Sequence, residues 1–200
     1  MIDQPEDWDK YWVKLNGSFL ADLYRKLFLA GPISRSFEKY MPRSGVFVEA
    51  GSGSSMSSCY IKKRKRKMIA LDFSQQALDL AINQNNIDGT VLGDIRKMPF
   101  EDKTLDGIWN LGVMEHLTVR DINIALSEFH RVLKNKGKII LLWPAKYNIM
   151  NNIMPWMFPP MPNELKSRKQ GRAYLRKNGF KCLAAKVTIM GDIILVGEKI

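Results

Sequence analysis

Three carboxylates each close a run of apolar residues: Glu49 after Val46-Phe47-Val48, Asp72 after Met68-Ile69-Ala70-Leu71, and Asp94 after Thr90-Val91-Leu92-Gly93. Gly51 and Gly53 follow the first of them directly. Glycine has no side chain to keep backbone amides away from a ligand, so a strand running into such a turn makes a binding site. Asp72 lies 21 positions beyond Gly51, the separation that lets an acid on a second strand reach ribose hydroxyls. Glu115 and His116 are adjacent and follow a further strand pattern, where they can move a proton. His130, the other histidine, falls in a long helical pattern and reads as a surface or half-buried residue.

The elements that must position these groups alternate. Residues 45–50 read as a first strand and 54–63 as a crossover helix. Met68 to Asp72 reads as a second strand, and Ser74 as the cap of a helix carrying Ala77, Leu78 and Ala81. Thr90-Val91-Leu92 is a short third strand, and Leu105 to Asn110 a fourth. Thr118 or Asp121 opens a long helix that Asn135-Lys136-Gly137 stops, and Lys138 to Trp143 is a fifth strand. Strands and helices in this alternation imply a parallel sheet covered on both faces. The ending differs. A basic helix over roughly 164–178 leads into strands at 181–189 and 193–198, joined by a two-residue turn, Gly191-Asp192, as an antiparallel hairpin. Ahead of the core, residues 5–42 read as helical. Trp8, Tyr11, Trp12 and Leu15 share one face, Gly31-Pro32 breaks the pattern, and Ser34 caps a short third helix. This segment is either a flap packed on the domain or a lid whose aromatic residues wall off a ligand.

Two hundred residues suit one domain with a substantial core. No apolar run approaches the ~20 residues that span a bilayer, and the acidic N-terminus lacks the form of a signal peptide. A soluble, cytoplasmic protein is the expectation. Cys59 and Cys182 have no metal-binding spacing and read as reduced structural thiols; no metal site is expected. The net charge of +11 is concentrated in Lys62-Lys63-Arg64-Lys65-Arg66-Lys67, with a smaller cluster at Lys166, Arg168, Lys169, Arg172, Arg176 and Lys177. The first run enters the second strand at its N-terminal end, opposite the ligand face, and reads as a solvated turn rather than a nucleic-acid site.

Acids on successive strand ends suit both a nicotinamide dinucleotide and S-adenosylmethionine. The details favour the second. A dinucleotide fingerprint needs a third glycine where Met56 stands, and a pyrophosphate disfavours a carboxylate at Glu49. A sulfonium cation with an ammonium group fits an acid there, and Asp94 can face an adenine amine.

At this point the residues resemble a known family. Glu49-Ala50-Gly51-Ser52-Gly53, Leu71-Asp72-Phe73-Ser74, Gly93-Asp94-Ile95 through Met98-Pro99-Phe100, and Leu105-Asp106-Gly107-Ile108 through Met114-Glu115-His116-Leu117 are similar to the motifs of class I S-adenosylmethionine-dependent methyltransferases. The likeness is to the small-molecule group that includes quinone-biosynthesis enzymes. It covers about residues 45–143. It implies an α/β, Rossmann-like, mostly parallel seven-stranded sheet ending in an antiparallel hairpin, here with an N-terminal helical flap. One methyltransferase domain would span 1–200, with the flap at 1–42, the cofactor core at 43–145, a substrate loop at 146–163 and the helix and hairpin at 164–200. The resemblance also implies roles. Gly51 and Gly53 bring backbone against the methionine part of the cofactor, and Glu49 orients its amino group through water or the loop. Asp72 holds the ribose hydroxyls, with Phe73 against the adenine. Asp94 accepts from the adenine amine, the Ile95 N–H donates to the ring, and Asn110 presents its carbonyl to the ammonium. Glu115 and His116 are the candidate catalytic pair; their alternative role is to cap or orient the following helix. Ser55 stands where many members carry a third glycine.

Asn110-Leu111-Gly112-Val113 lacks the motif of adenine amino methylation, and no Pro-Cys follows the fourth strand. These absences point away from nucleic acid, and the expected acceptor is a small molecule, apolar or aromatic to match the Met- and aromatic-rich stretch at 150–161. An RNA methyltransferase and a non-catalytic cofactor-binding regulatory protein are the alternatives. The stretch from Met150 to Met161, rich in Met, Pro and aromatics, reads either as a substrate lid or as a loop packed on the core, with a membrane-touching loop as a third reading. The sequence leaves the oligomeric state open.

Overall fold

A computed structural model describes residues 5–15, 25–84, 86–146, 148–149, 163, 165 and 167–200. Seven strands form one sheet: β1 (Ser44–Ala50), β2 (Lys65–Asp72), β3 (Gly89–Leu92), β4 (Leu105–Leu111), β5 (Leu133–Trp143), β6 (Phe180–Val187) and β7 (Ile193–Lys199), in the order β3-β2-β1-β4-β5-β7-β6. Strands β1 to β5 are mutually parallel, and β7 runs antiparallel between β5 and β6. The chain reverses direction of strand order at β1, between β2 and β4. A ligand crevice opens there beyond the carboxyl ends.

The helices are α1 (Pro5–Leu15), α2 (Gly31–Tyr40), α3 (Gln75–Ala81), α4 (Val119–Val132) and α5 (Arg168–Lys177). Both sheet faces are covered. Helix α4 lays Ile122, Ala125, Leu126, Phe129 and Val132 against Val48, Ile108, Ile139 and Leu141, and Leu175 of α5 joins the same core. The opposite face packs Ile33 and Phe37 of α2 on Phe47, Trp109 and Ile140. There the Phe37 and Trp109 rings meet edge to face at 5.3 Å. Each buried aromatic of this kind stabilises the fold by about 1.5–3 kcal/mol. Among the described residues no helix is long and apolar enough to cross a membrane.

Several sequence expectations need correction. Residues 54–63 form no crossover helix; they hold a single 3-10 turn at Met56–Tyr60. Serines there bond acids and carbonyls instead of propagating a helix: Ser58 Oγ donates to Ser55 O at 2.7 Å. Gly31-Pro32 does not break the helical path. Helix α2 starts at Gly31 directly from a π-helical turn, Arg25–Ala30, and Pro32 sits in its first turn, where the ring's fixed φ suits the helix. Ser34 lies inside α2 and donates to Tyr60 O at 2.6 Å rather than capping. The hairpin turn is five residues, 188–192, because Val187 pairs with Ile193, the Asp192 N–H donates to Thr188 Oγ1 at 3.0 Å and Thr188 N–H to Asp192 O at 2.8 Å. Strand β2 starts at Lys65, so the second half of the basic run is sheet and not turn.

That half contains a buried cation. Arg66 is 3% exposed. Its Nε donates to Pro42 O at 2.7 Å, its Nη1 to Lys62 O at 2.7 Å and to Glu38 Oε1 at 2.5 Å, and its guanidinium lies 4.8 Å from the Phe37 ring centre. Arg64 also binds Glu38, and Lys63 binds Asp88. Three of the six cations are thus ion-paired within the fold, two of them on one carboxylate.

Candidate functional site

The turn after β1 is stitched to the end of β2. Gly51 N–H and Ser52 N–H donate to Leu71 O at 2.8 and 2.9 Å. Gly53 N–H donates to Asp72 Oδ2 at 2.8 Å, and Ser74 N–H to Asp72 Oδ1 at 2.9 Å. Gly51 has φ 68°, and a Cβ there would lie 2.7 Å from Val113 Cγ2, so both conformation and space require glycine. Asp72 is 6% exposed. Burial raises its pKa, against the Ser74, Gly53 and Phe73 amides that favour the charged form. Each carboxylate oxygen still has a lone pair for a hydroxyl donor.

Glu49 is tied to the loop that follows it. Its carboxylate is buried and accepts from the Ser55 and Ser57 hydroxyls. Burial pushes its pKa up to about 7, the serine bonds oppose the rise, and the charge of Asp72 adds to it. Ser55 takes the left-handed conformation (φ 50°, ψ 29°), which glycine adopts most readily.

Asn110 ends the buried part of β4. Its Nδ2 donates to Ala50 O at 2.7 Å, tying β4 to the first turn. Its Oδ1 is buried and has no hydrogen-bond partner among the described residues. A buried acceptor of this sort lacks a donor, which is what a ligand ammonium provides; the residues therefore fit the expected cofactor.

Asp94 is engaged already. Arg96 Nε donates to Oδ1 and Oδ2 at 3.0 and 2.9 Å, its Nη2 to Oδ2 at 2.6 Å, and its N–H to Oδ1 at 2.8 Å. Partial burial works to raise the Asp94 pKa, but the Arg96 bonds and charge outweigh it and hold the carboxyl below its ordinary value. Ile95 is buried against the α4 side of the core.

The candidate proton carriers lie beyond β4 in a 3-10 turn, Met114–His116. Glu115 is buried, and His116 Nε2 is 3.8 Å from Glu115 Oε1, too long for a hydrogen bond. Asn163 pins this turn. Its N–H donates to Glu115 O at 3.0 Å, its Nδ2 to Leu117 O at 2.5 Å, and its carbonyl accepts from Trp143 Nε1 at 2.9 Å. No local signal in the sequence links Asn163 to a turn 46 residues away. The stretch 150–161 lies outside the described residues.

Helix α1 reaches the same edge. The Trp8 ring stands edge-on to His116 at 5.1 Å and tilted over Phe73 at 6.4 Å, and Ser74 Oγ donates to Asp9. Of the groups expected to meet in one site, Gly51, Gly53, Asp72 and Asn110 are joined directly by hydrogen bonds or through Leu71 and Ala50. Phe73 and His116 are bridged by Trp8. Glu49 faces the serines, and Asp94 faces Arg96.

A sheet of this order, with the acid of β2 bonded to the glycine turn of β1, defines the fold of class I S-adenosylmethionine-dependent methyltransferases. Residues 48–141 match the family described as "Methyltransferase domain", and this core is a methyltransferase domain of that class. Malonyl-[acyl-carrier protein] O-methyltransferase of Yersinia pestis is 35% identical over 96 residues, 48% of this chain and 35% of that protein. Demethylmenaquinone methyltransferase of Streptomyces avermitilis is 23% identical over 138 residues, 66% of this chain and 58% of that one. The chain thus spans about half the length of the curated relatives it matches. A SAM-dependent methyltransferase from Aquifex aeolicus shares the fold, with a TM-score of 0.71 at 17% identity over 96% of this chain and 98% of its own.

Proposed function

We propose that this protein transfers the methyl group of S-adenosylmethionine to a small, apolar or aromatic acceptor. The observation that carries the reading is the Asp72 carboxylate, fixed by the Gly53 and Ser74 amides at the crevice. A carboxylate held in this way meets a ribose diol without reorganisation. Asp72 would hold the two ribose hydroxyls, Phe73 would lie against the adenine, and Asn110 would receive the ammonium. Asp94 would accept from the adenine amine with Arg96 still bound, and the Ile95 N–H would donate to the ring. Gly51 and Gly53 would shape the turn. Glu49 would act through the loop, since its oxygens accept from Ser55 and Ser57.

The bound cofactor supplies an electrophilic methyl on sulfur. The chain's part is to keep the site dry and hold the acceptor in line, from which much of the rate comes. We assign Trp8 and His116 to the acceptor side. Where the acceptor carries a proton, His116 Nε2 takes it. The names of relatives that act on malonyl-[acyl-carrier protein] and demethylmenaquinone support a non-nucleic-acid acceptor. So does the pairing of half the basic run within the fold.

Calorimetric titration with S-adenosylmethionine and S-adenosylhomocysteine tests the reading. Two hydrogen bonds to a charged acceptor contribute about 1.5–3 kcal/mol each, so Asp72→Ala should weaken both ligands by roughly 100-fold or more. Undiminished affinity in that variant would overturn the ribose assignment.

A further inference from the structure

The tip of the β6–β7 hairpin exposes aliphatic side chains: Val187 is 55% and Ile189 82% exposed. Ile149, 46% exposed, joins them because its N–H donates to Met190 O at 2.9 Å. The junction is firm. Asn148 Nδ2 donates to Asp192 Oδ1, both residues are 1% exposed, and Thr188 and Asp192 close the turn. Single exposed aliphatics are ordinary, whereas three brought to one hydrogen-bonded hairpin tip point to a contact surface.

The tip lies on the edge that carries the candidate site. Strands β5 and β6 are each antiparallel to β7, so both end at the same edge. Cations lie close by along the chain. Lys186 precedes Val187, Lys146 bonds through its N–H to Leu165 O, and Arg168 opens α5 shortly after Leu165. All three are exposed, and none is ion-paired among the described residues. The acid of the tip, Asp192, is enclosed by Asn148 and Thr188 and offers nothing to the surface.

We propose that this rim, Ile149, Val187 and Ile189 with Lys146, Lys186 and Arg168, docks on an anionic lipid surface. Aliphatic tips enter the headgroup–acyl boundary while cations meet anionic headgroups. Nucleic acid would reward the cations but not an isoleucine left this far in water, so lipid is the better fit. Docking there would bring the candidate site to an acceptor dissolved in the bilayer. The proposal goes beyond the methyl-transfer reading, and its test needs no turnover.

The test is sedimentation of the full chain with phosphatidylcholine vesicles containing about a third phosphatidylglycerol, with pure phosphatidylcholine as the comparison. The protein should pellet with the anionic vesicles, stay in solution with the neutral ones, and be released by salt of about 0.5 M. Ile189→Asp, and separately the pair Lys146→Glu and Lys186→Glu, should each weaken binding about tenfold or more. The triple variant Lys62→Glu, Lys65→Glu and Lys67→Glu, at the opposite edge, should bind as the parent does. Equal pelleting of Ile189→Asp overturns the proposal, as does loss confined to the triple variant. Binding of single-stranded RNA without vesicle binding overturns it too, and so does a dimer that Ile189→Asp dissolves when vesicles do not bind. Cofactor titration of the same variants separates a failure of this surface from a failure of the site.

Discussion

The Ser55 hydroxyl donates to the Glu49 carboxylate across the first turn, from a backbone held in the left-handed region at φ 50°. Ser57 supplies a second donor to the same carboxylate, and the Trp109 indole lies 3.4 Å from Ser57 Oγ. The acid next to the end of β1 is therefore spent on shaping the loop. Where glycine would sit without strain, this chain has a residue that accepts backbone strain and contributes a hydrogen bond.

The two effects separate by substitution. A non-glycine residue in the left-handed region costs about 1–2 kcal/mol, and an unsatisfied buried acceptor costs about 1–3 kcal/mol. Ser55→Ala keeps the strain and loses the bond, so it should be the least stable form. Ser55→Gly loses the bond but relieves the strain, and should melt between Ser55→Ala and the parent. Thermal melts followed by circular dichroism give the order. A Ser55→Ala protein as stable as the parent would show that the hydroxyl bond contributes nothing.

Glu49 also makes stability depend on pH. Its carboxyl titrates near 7 in the folded chain against an ordinary value of 4.5. Below pH 4.5 both the folded and unfolded forms hold the proton and the group costs nothing. As pH rises toward 7 the unfolded chain releases the proton while the folded one keeps it, so stability falls, by about 3 kcal/mol in total from this group. Buried Asp72 and Asp192 change stability in the same direction. Glu49→Gln should therefore flatten, without abolishing, the fall in unfolding free energy between pH 5 and pH 8 measured in urea. An identical slope in parent and variant would place the titration elsewhere.

Much of the site was legible because its signals are local. The glycine turn, the acid closing β2 and the Ser74 cap are each carried by a few adjacent residues, and the cap bond to Ala77 N is present at 3.1 Å. Thr118 likewise caps α4 through Asp121 N. What escaped depends on partners far along the chain. Arg66 sits in a run of six cations, and its burial is dictated by Glu38, 28 residues earlier. The burial of Lys65 to Met68 alternates out, in, out, in, a strand signal that the charges conceal. Asp94 looked available because Arg96, two residues on, can as well point to solvent as fold back on it.

Arg66 gives a direct measure of that hidden interaction. Removing one partner of a buried ion pair typically costs 3–5 kcal/mol. Arg66→Ala should lose about that much in urea unfolding. Arg66→Lys should recover less than half of it, since one ammonium cannot span Glu38, Pro42 O and Lys62 O together. Lys65→Ala and Lys67→Ala, both exposed, should stay within about 0.5 kcal/mol of the parent. Equal costs at all three positions would make the run a solvated face and nothing more.

Trp8 distinguishes a flap from a wall. Its ring meets both Phe73 and His116, and Asp9 beside it bonds Ser74. A residue that only packs α1 onto the domain would, when truncated, lower stability and leave kinetic constants alone. A residue that lines the acceptor space loses uniform binding, which raises KM with little change in kcat. We expect the second pattern. Trp8→Ala should raise the acceptor KM about tenfold, with kcat within about twofold and cofactor affinity within about threefold, and Trp8→Phe should restore most of the loss. Steady-state kinetics on any turned-over acceptor, set beside cofactor titration of the same variants, separates the two. An unchanged KM would return α1 to the role of a packed flap, and the acceptor wall would then have to be sought on the β4 side of the crevice, around His116 and Asn163.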